Sequence, residues 1–389
     1  SLSRNNSSDP FAGIEKIWLD QNVEAASDQS VPQTGAPKVW ESGYDGSGIT
    51  VAVLDTGVDD QHPDLKGKVI KSRNFTTSET ASDHHGHGTH VAGIIASNGK
   101  GDNGKYKGVA PGASILNGKV LGDSGSGQLS WIIAGMEWAA ENGAHVINMS
   151  LGGNPTDGTD PVSQALNNLT EHYGVLFVVS AGNDGPNKET VGYPGSADAA
   201  LTVGSVDKSS RLAITSSRGP RINDYAIKPE ITAPGVNIVS ARAKGTYMGS
   251  VVGDHYTQAS GTSMASPHVA GAAALMLQKN PNWKPEKLKA ALVSTANPAS
   301  GYTVYQQGAG ELDLVRSVNQ EVYAQTAALN FGVFKYPHDK ATPVTKSVTY
   351  ANHSNTPVTL SLSLDISHED GDEIPEEMAQ LSANQITIP

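Results

Sequence analysis

Ser263 stands between small residues in Gly261-Thr262-Ser263-Met264-Ala265-Ser266-Pro267-His268, ahead of a helix-like run over 264–279. The apolar side of that run is Val269, Ala272, Ala273, Leu275, Met276 and Leu277. A serine at a helix start has free amide donors and the positive end of the helix dipole beside it. That suits a nucleophile whose product is an oxyanion. Three further stretches carry complementary groups. Asp55 closes Val53-Leu54-Asp55-Thr56-Gly57, His87 lies in His85-Gly86-His87-Gly88-Thr89-His90-Val91-Ala92-Gly93, and Asn183 lies in Ser180-Ala181-Gly182-Asn183-Asp184-Gly185. A hydroxyl becomes a competent nucleophile when an imidazole takes its proton. The imidazole needs a carboxylate on its other nitrogen to fix its tautomer. An oxyanion needs fixed donors, which the Asn183 amide and the Ser263 N–H would supply.

Each residue alone has a plainer reading. Asp55 could cap a helix or bind a metal. Its Asp-Thr-Gly occurs once, without the second copy a two-aspartate protease requires. His84, His85, His87 and His90 could hold a metal, although no His-Glu-x-x-His spacing is present. Asn183 could be a turn residue.

The elements around these residues alternate. The near-continuous apolar run at 49–54 reads as a strand buried on both faces of a parallel sheet. Similar strands are expected at 114–120, 145–149, 176–180 and 201–206, with helices at 89–97, 130–142 and 161–173 between them. This is the pattern of an α/β domain. Asp55, Ser150 and 181–183 would then lie past the carboxyl ends of strands, where such folds build their sites. Ahead of the sheet, 1–10 reads as a flexible end, 14–20 as a strand-like run, and 31–43 as an irregular entry and a short helix. Beyond the serine, helices are expected at 264–279 and 285–296, and 308–318 closes the domain. From about 325 the pattern turns to period two, at 347–350 and 358–364, which predicts a β-rich segment with one wet face. It is expected to be part of a longer β-sandwich.

Lys+Arg is 27 against Asp+Glu at 39 in 389 residues, a net charge of -12. That speaks against a nucleic-acid partner, which wants cationic clusters. With no cysteine, disulfides, thiolate catalysis and cysteine-based zinc sites are excluded. No apolar run approaches the ~18 residues of a membrane span.

Together the four stretches, in the order Asp, His, Ser, resemble the subtilisin-like serine proteases (subtilases). The resemblance runs over about 29–318 and includes Gly108-Val109-Ala110-Pro111 and Asn148-Met149-Ser150-Leu151-Gly152. It implies a three-layer α/β fold with a mostly parallel sheet flanked by helices. The domains would be an N-terminal arm or propeptide end at 1–28, a catalytic domain at 29–320 and the β-rich accessory segment at 325–389. By the same resemblance Ser263 attacks a peptide carbonyl, His87 acts as general base and then acid, Asp55 orients it, and Asn183 binds the oxyanion. Gly125-Ser126-Gly127 and Ser150-Leu151-Gly152 would pair with an extended substrate as added strands do. Ala181, Gly182 and Gly192 would line a specificity pocket that admits large apolar or uncharged residues. A structural Ca²⁺ is implied at Gln29, Asp64 and Asp102, oxygen ligands that suit it. The loop 98–106 departs from the family by being longer and carrying two lysines. The expected partners are protein or peptide substrates and the chain's own propeptide as inhibitor. No membrane span or nucleic acid is expected. The protein is expected to be a secreted, extracellular monomer made as a zymogen, any secretion signal lying outside 1–389. Two rival readings are a binding protein on a dead protease fold and a processing protease of narrow specificity.

Overall fold

The computed structural model describes residues 29–337, 342–366 and 375–389. The strand expected at 14–20, and all of 1–28, lie outside the described residues. The core is a parallel sheet of seven strands: β1 (Thr50–Asp55), β2 (Val69–Asn74), β3 (Ser114–Lys119), β4 (Val146–Met149), β5 (Leu176–Ser180), β6 (Leu201–Val206) and β7 (Ile231–Pro234). Their order in space is β2-β3-β1-β4-β5-β6-β7. The chain runs to one side of β1 through β2 and β3, then returns to its other side with β4. The end of β1 is therefore the point where strand order reverses, and there the crevice of an open α/β sheet opens. Asp55 occupies that end.

Successive side chains of a strand face opposite ways. Val51 and Val53 enter one core cluster while Ala52 and Leu54 enter the other. Leu176 and Val178 divide from Phe177 and Val179 in the same manner. Burial on both faces explains why these strands read as unbroken apolar runs. The first helices, α1 (Ser30–Gln33) and α2 (Ala36–Glu41), lead into β1, and α3 (His87–Ala96) starts at the candidate base. Then come α4 (Leu129–Glu141) and α5 (Pro161–Tyr173), whose Met136, Trp138 and Leu166 pack with Leu54 and Phe177. On the opposite face lies α6 (Thr262–Lys279), buried along nearly all its length. A helix apolar all round belongs inside a protein, and its alanines and glycine let α3 and the sheet come close.

The helices α7 (Pro285–Ser294), α8 (Val304–Gln307) and α9 (Leu314–Asn319) close the domain. A three-stranded antiparallel sheet of β8 (Ile238–Ala241), β9 (Ser250–Val252) and β10 (Tyr256–Ala259) lies against α3. Among the described residues, the β-rich tail holds two two-stranded antiparallel sheets: β11 (Val322–Ala324) with β12 (Tyr350–Asn352), and β13 (Val358–Ser361) with β14 (Gln385–Ile388). The strand expected at 347–350 begins only at Tyr350, where pairing with Ala324 starts. Val358 to Ser361 alternate half-buried and exposed, the wet face that period two predicts.

Candidate active site

The turn after β1 carries Asp55 toward α3. Gly88, the second residue of α3, packs so closely that an added Cβ would lie 2.1 Å from the Gly57 carbonyl oxygen. Only glycine permits that approach, and it brings His87 onto Asp55. The His87 Nδ1–H donates to Asp55 Oδ1 at 2.8 Å. Asp55 Oδ1 also accepts the Thr56 N–H at 2.7 Å. Asp55 Oδ2 is buried without a donor among the described residues. Burial would lower the His87 pKa, but the charge and hydrogen bond of Asp55, with the charge of Asp83 behind them, outweigh it. The net result is an imidazole raised above its ordinary value. With Nδ1 carrying the proton, Nε2 has the lone pair.

Ser263 is the second residue of α6. Its Oγ donates to the Ser150 carbonyl at 3.3 Å, so it must turn about one side-chain bond to reach an imidazole; such bonds commonly tighten only with substrate bound. Pro267 lies inside α6, four residues on. Having no N–H, it leaves the Ser263 carbonyl without its helical donor. The Ser150 hydroxyl replaces it at 2.9 Å. Asn183 Oδ1 accepts the Thr262 N–H at 2.9 Å, and the Met264 N–H goes to the Gly261 carbonyl. This leaves the Ser263 N–H unpartnered among the described residues and the Asn183 amide NH₂ outward. A cavity of about 510 Å³ joins His87, Asn183 and Ser263, walled further by Met264, Met248 and Gln258. A hydroxyl, an imidazole bound to a carboxylate, and two amide donors thus converge from α6, α3, β1 and the turn after β5.

The other expected residues fall as follows. Gly125, Ser126 and Gly127 form an open turn closed by the Gly122 N–H on the Ser126 carbonyl (2.8 Å), with Gly125 against the His85 ring. Ser150 is buried and its side chain faces α6; what it can offer outward is backbone. Leu151 is buried, and Gly152 continues an irregular segment held by the Gly153 N–H on the Tyr193 carbonyl (2.9 Å). Ala181 is buried, and Gly182 accepts the Thr262 hydroxyl at 3.1 Å. Gly192 is buried in a bridge to Pro155, where an added Cβ would lie 1.9 Å from the Gly153 carbonyl oxygen. Gln29, Asp64 and Asp102 do not fit a calcium ion as they stand. Both Asp64 oxygens face hydrogen-bond donors: Gly101 N–H at 2.6 Å, Ser97 Oγ–H at 2.9 Å and Tyr256 O–H at 2.9 Å. A cation would have to displace all three. Gln29 is exposed at the start of α1, and no three His, Asp or Glu converge as a metal site among the described residues. The histidine cluster is likewise no metal site: His90 is fully buried, its Nε2–H shared between the Ile238 and Thr257 carbonyls. Burial first, then the His87 charge, pushes its pKa down to about 3.

Two residues of this region carry no mark in the sequence. Asp83 receives five hydrogen bonds around His87. Lys119 is fully buried, donating to the Thr56 carbonyl and pairing with Asp123 at 2.8 Å. A second cavity, of about 310 Å³, lies elsewhere and is built on an ion-pair network in which Glu230 Oε1 accepts Lys228 and Lys289, each at 2.7 Å.

The sequence profile of the Subtilase family matches residues 46–311. The chain is 37% identical over 333 residues to the serine protease AprX of Bacillus subtilis (strain 168), covering 79% of this chain and 75% of that one. It is 43% identical over 293 residues to Subtilisin E of the same organism, covering 72% of this chain and 70% of that one. Among solved structures it resembles a cold-adapted subtilisin-like serine proteinase, with a TM-score of 0.58 and 35% identity over 69% of this chain and 90% of that one.

Proposed function

The chain belongs to the subtilase family of serine endopeptidases, and on that footing we propose that it cuts peptide bonds through Ser263, His87 and Asp55. The observation that carries this reading is the 2.8 Å bond from His87 to Asp55 beside a cavity shared by His87, Ser263 and Asn183. Ser263 Oγ turns from the Ser150 carbonyl, passes its proton to His87 Nε2 and attacks the substrate carbonyl. The imidazolium is held by Asp55. The oxyanion is met by the Ser263 N–H and the Asn183 amide, donors fixed before the charge develops. His87 then protonates the departing amine, and water repeats the sequence on the acyl-enzyme.

An extended substrate would lie between the turn at 125–127 and the segment at 150–152 that follows β4. Pairing of that kind reads mainly the backbone and gives broad specificity. Large apolar or uncharged residues are preferred before the cleaved bond, with Asp184 and Glu189 able to receive basic ones. The reading extends to a secreted enzyme made as a zymogen, with maturation between Asp20 and Ser30. In a peptide library, the purified protein should cleave after large uncharged side chains, and Ser263→Ala should lose all measurable cleavage. Strict preference for small residues would refute the specificity. Full activity in Ser263→Ala would refute the mechanism.

A further inference from the structure

Asp83 lies in the loop ahead of α3, four residues before His87, and is 3% exposed. Its Oδ1 accepts the Thr56 hydroxyl at 2.9 Å, the His85 N–H at 3.0 Å and the Gly86 N–H at 2.7 Å. Its Oδ2 accepts the Thr89 N–H at 2.9 Å and the Thr89 hydroxyl at 2.6 Å. A carboxylate has about four lone-pair sites, so the group is saturated. The Thr56 hydroxyl accepts the Gly88 N–H at 3.0 Å in turn, while the Thr56 N–H goes to Asp55. One carboxylate therefore fastens the residue after Asp55, the two residues before His87 and the second residue after it.

We propose that Asp83 is a positioning residue for the peptidase reaction: it holds the His87 ring on Asp55, and its charge favours the imidazolium. It touches neither substrate nor reacting atoms, and the inference rests on the function proposed above. The surroundings leave few other sources for such an effect. From β1 comes Asp55. On α3 and its approach, the His85 ring lies 6.4 Å from that of His87, and His90 is held neutral by burial. From β3, Lys119 is paired with Asp123. From α6, His268 is also held neutral by burial. The cavity wall facing His87 is uncharged. Asp55 and Asp83 are the two carboxylates whose charge raises the His87 pKa against its burial.

The test uses the full chain, with active molecules counted by titration to completion with a peptidyl phosphonate. Asp83→Asn removes the charge and turns an NH₂ toward the Thr89 donors. Thr56→Val keeps the charge but removes the bridging hydroxyl. Per titrated molecule, Asp83→Asn should lower kcat roughly ten- to a hundredfold with KM changed far less, as a small misplacement of a base does. It should also move the acid limb of kcat/KM to lower pH by roughly half a unit or more. Thr56→Val should lower kcat with the limb in place. If Asp83 were merely structural, Asp83→Asn would lower the fraction that titrates while kcat and the acid limb per titrated molecule stayed at wild-type values, and that result overturns the proposal. Should Asp83→Asn fail to fold, Thr56→Val decides, wild-type kcat overturning the proposal. If the unaltered protein takes up no phosphonate at all, the function itself fails rather than this inference.

Discussion

At the scale of single residues, chemistry is set by what each side chain is denied as much as by its partners. Ser263 exposes its carbonyl because Pro267 withholds an N–H, and Ser150 is drawn inward to fill the vacancy. Asn183 points its amide outward because its oxygen is spent on Thr262. Asp55, His87, Asn183 and Ser263 were legible in sequence because each sits in a stretch whose glycines and small residues serve a single geometry. Asp83 was not, because an aspartate in a polar loop looks the same whether it faces water or five donors. His87 supplies a prediction at this scale. Its pKa is raised above the ordinary imidazole value, and the proposed mechanism needs it neutral. Activity should therefore fall as pH drops through a value above about 6.5. A kcat/KM profile whose acid limb lies clearly below that value would contradict the assigned surroundings.

At the scale of elements, most strands buried on both faces announced themselves as apolar runs, and β5 and β6 begin and end where the sequence put them; β7, equally buried, was missed because Thr232 and Pro234 break up its four residues. The edge strand β2 was missed because four of its six residues are exposed, so its side chains carry no burial signal. The hairpin strands β8 to β10 were missed because segments of three or four residues have too little length for a period to show. The loop after α3 yields a prediction. Its anchor is the Tyr256 hydroxyl on Asp64, with Ser97 and Gly101 beside it. Tyr256→Phe removes one bond to a buried carboxylate and should cost about 1–3 kcal/mol in urea unfolding. A chelator should leave the thermal midpoint of the parent protein unchanged. A drop of several degrees on chelation would return a cation to Asp64.

For the molecule as a whole, the three layers were foreseeable from alternation of strand and helix, whereas the tail's two small sheets depend on pairings such as Val358 with Ile388 that no local pattern reveals. The core also carries a pH liability. Burial holds the pKa of His90 at about 3 and of His268 at about 4, below the unfolded value of about 6.5. Below that value the unfolded chain binds protons that the folded chain refuses, so stability present near neutrality is lost as pH falls. The raised pKa of His87 acts the other way only above about 6.5, adding no slope below it. Each buried histidine costs up to about 1.4 kcal/mol per pH unit in that window. Urea midpoints should therefore fall steadily from pH 6.5 to 4.5, and a flat midpoint would place these rings in contact with water.

The identity of the nucleophile is the claim on which the rest depends. It is tested most directly by treating the protein with a peptidyl phosphonate and locating the adduct by peptide mapping. The adduct should fall on Ser263 alone, at one equivalent, and vanish in Ser263→Ala and in protein unfolded beforehand. An adduct on any other residue, or labelling that persists in Ser263→Ala, would contradict the account.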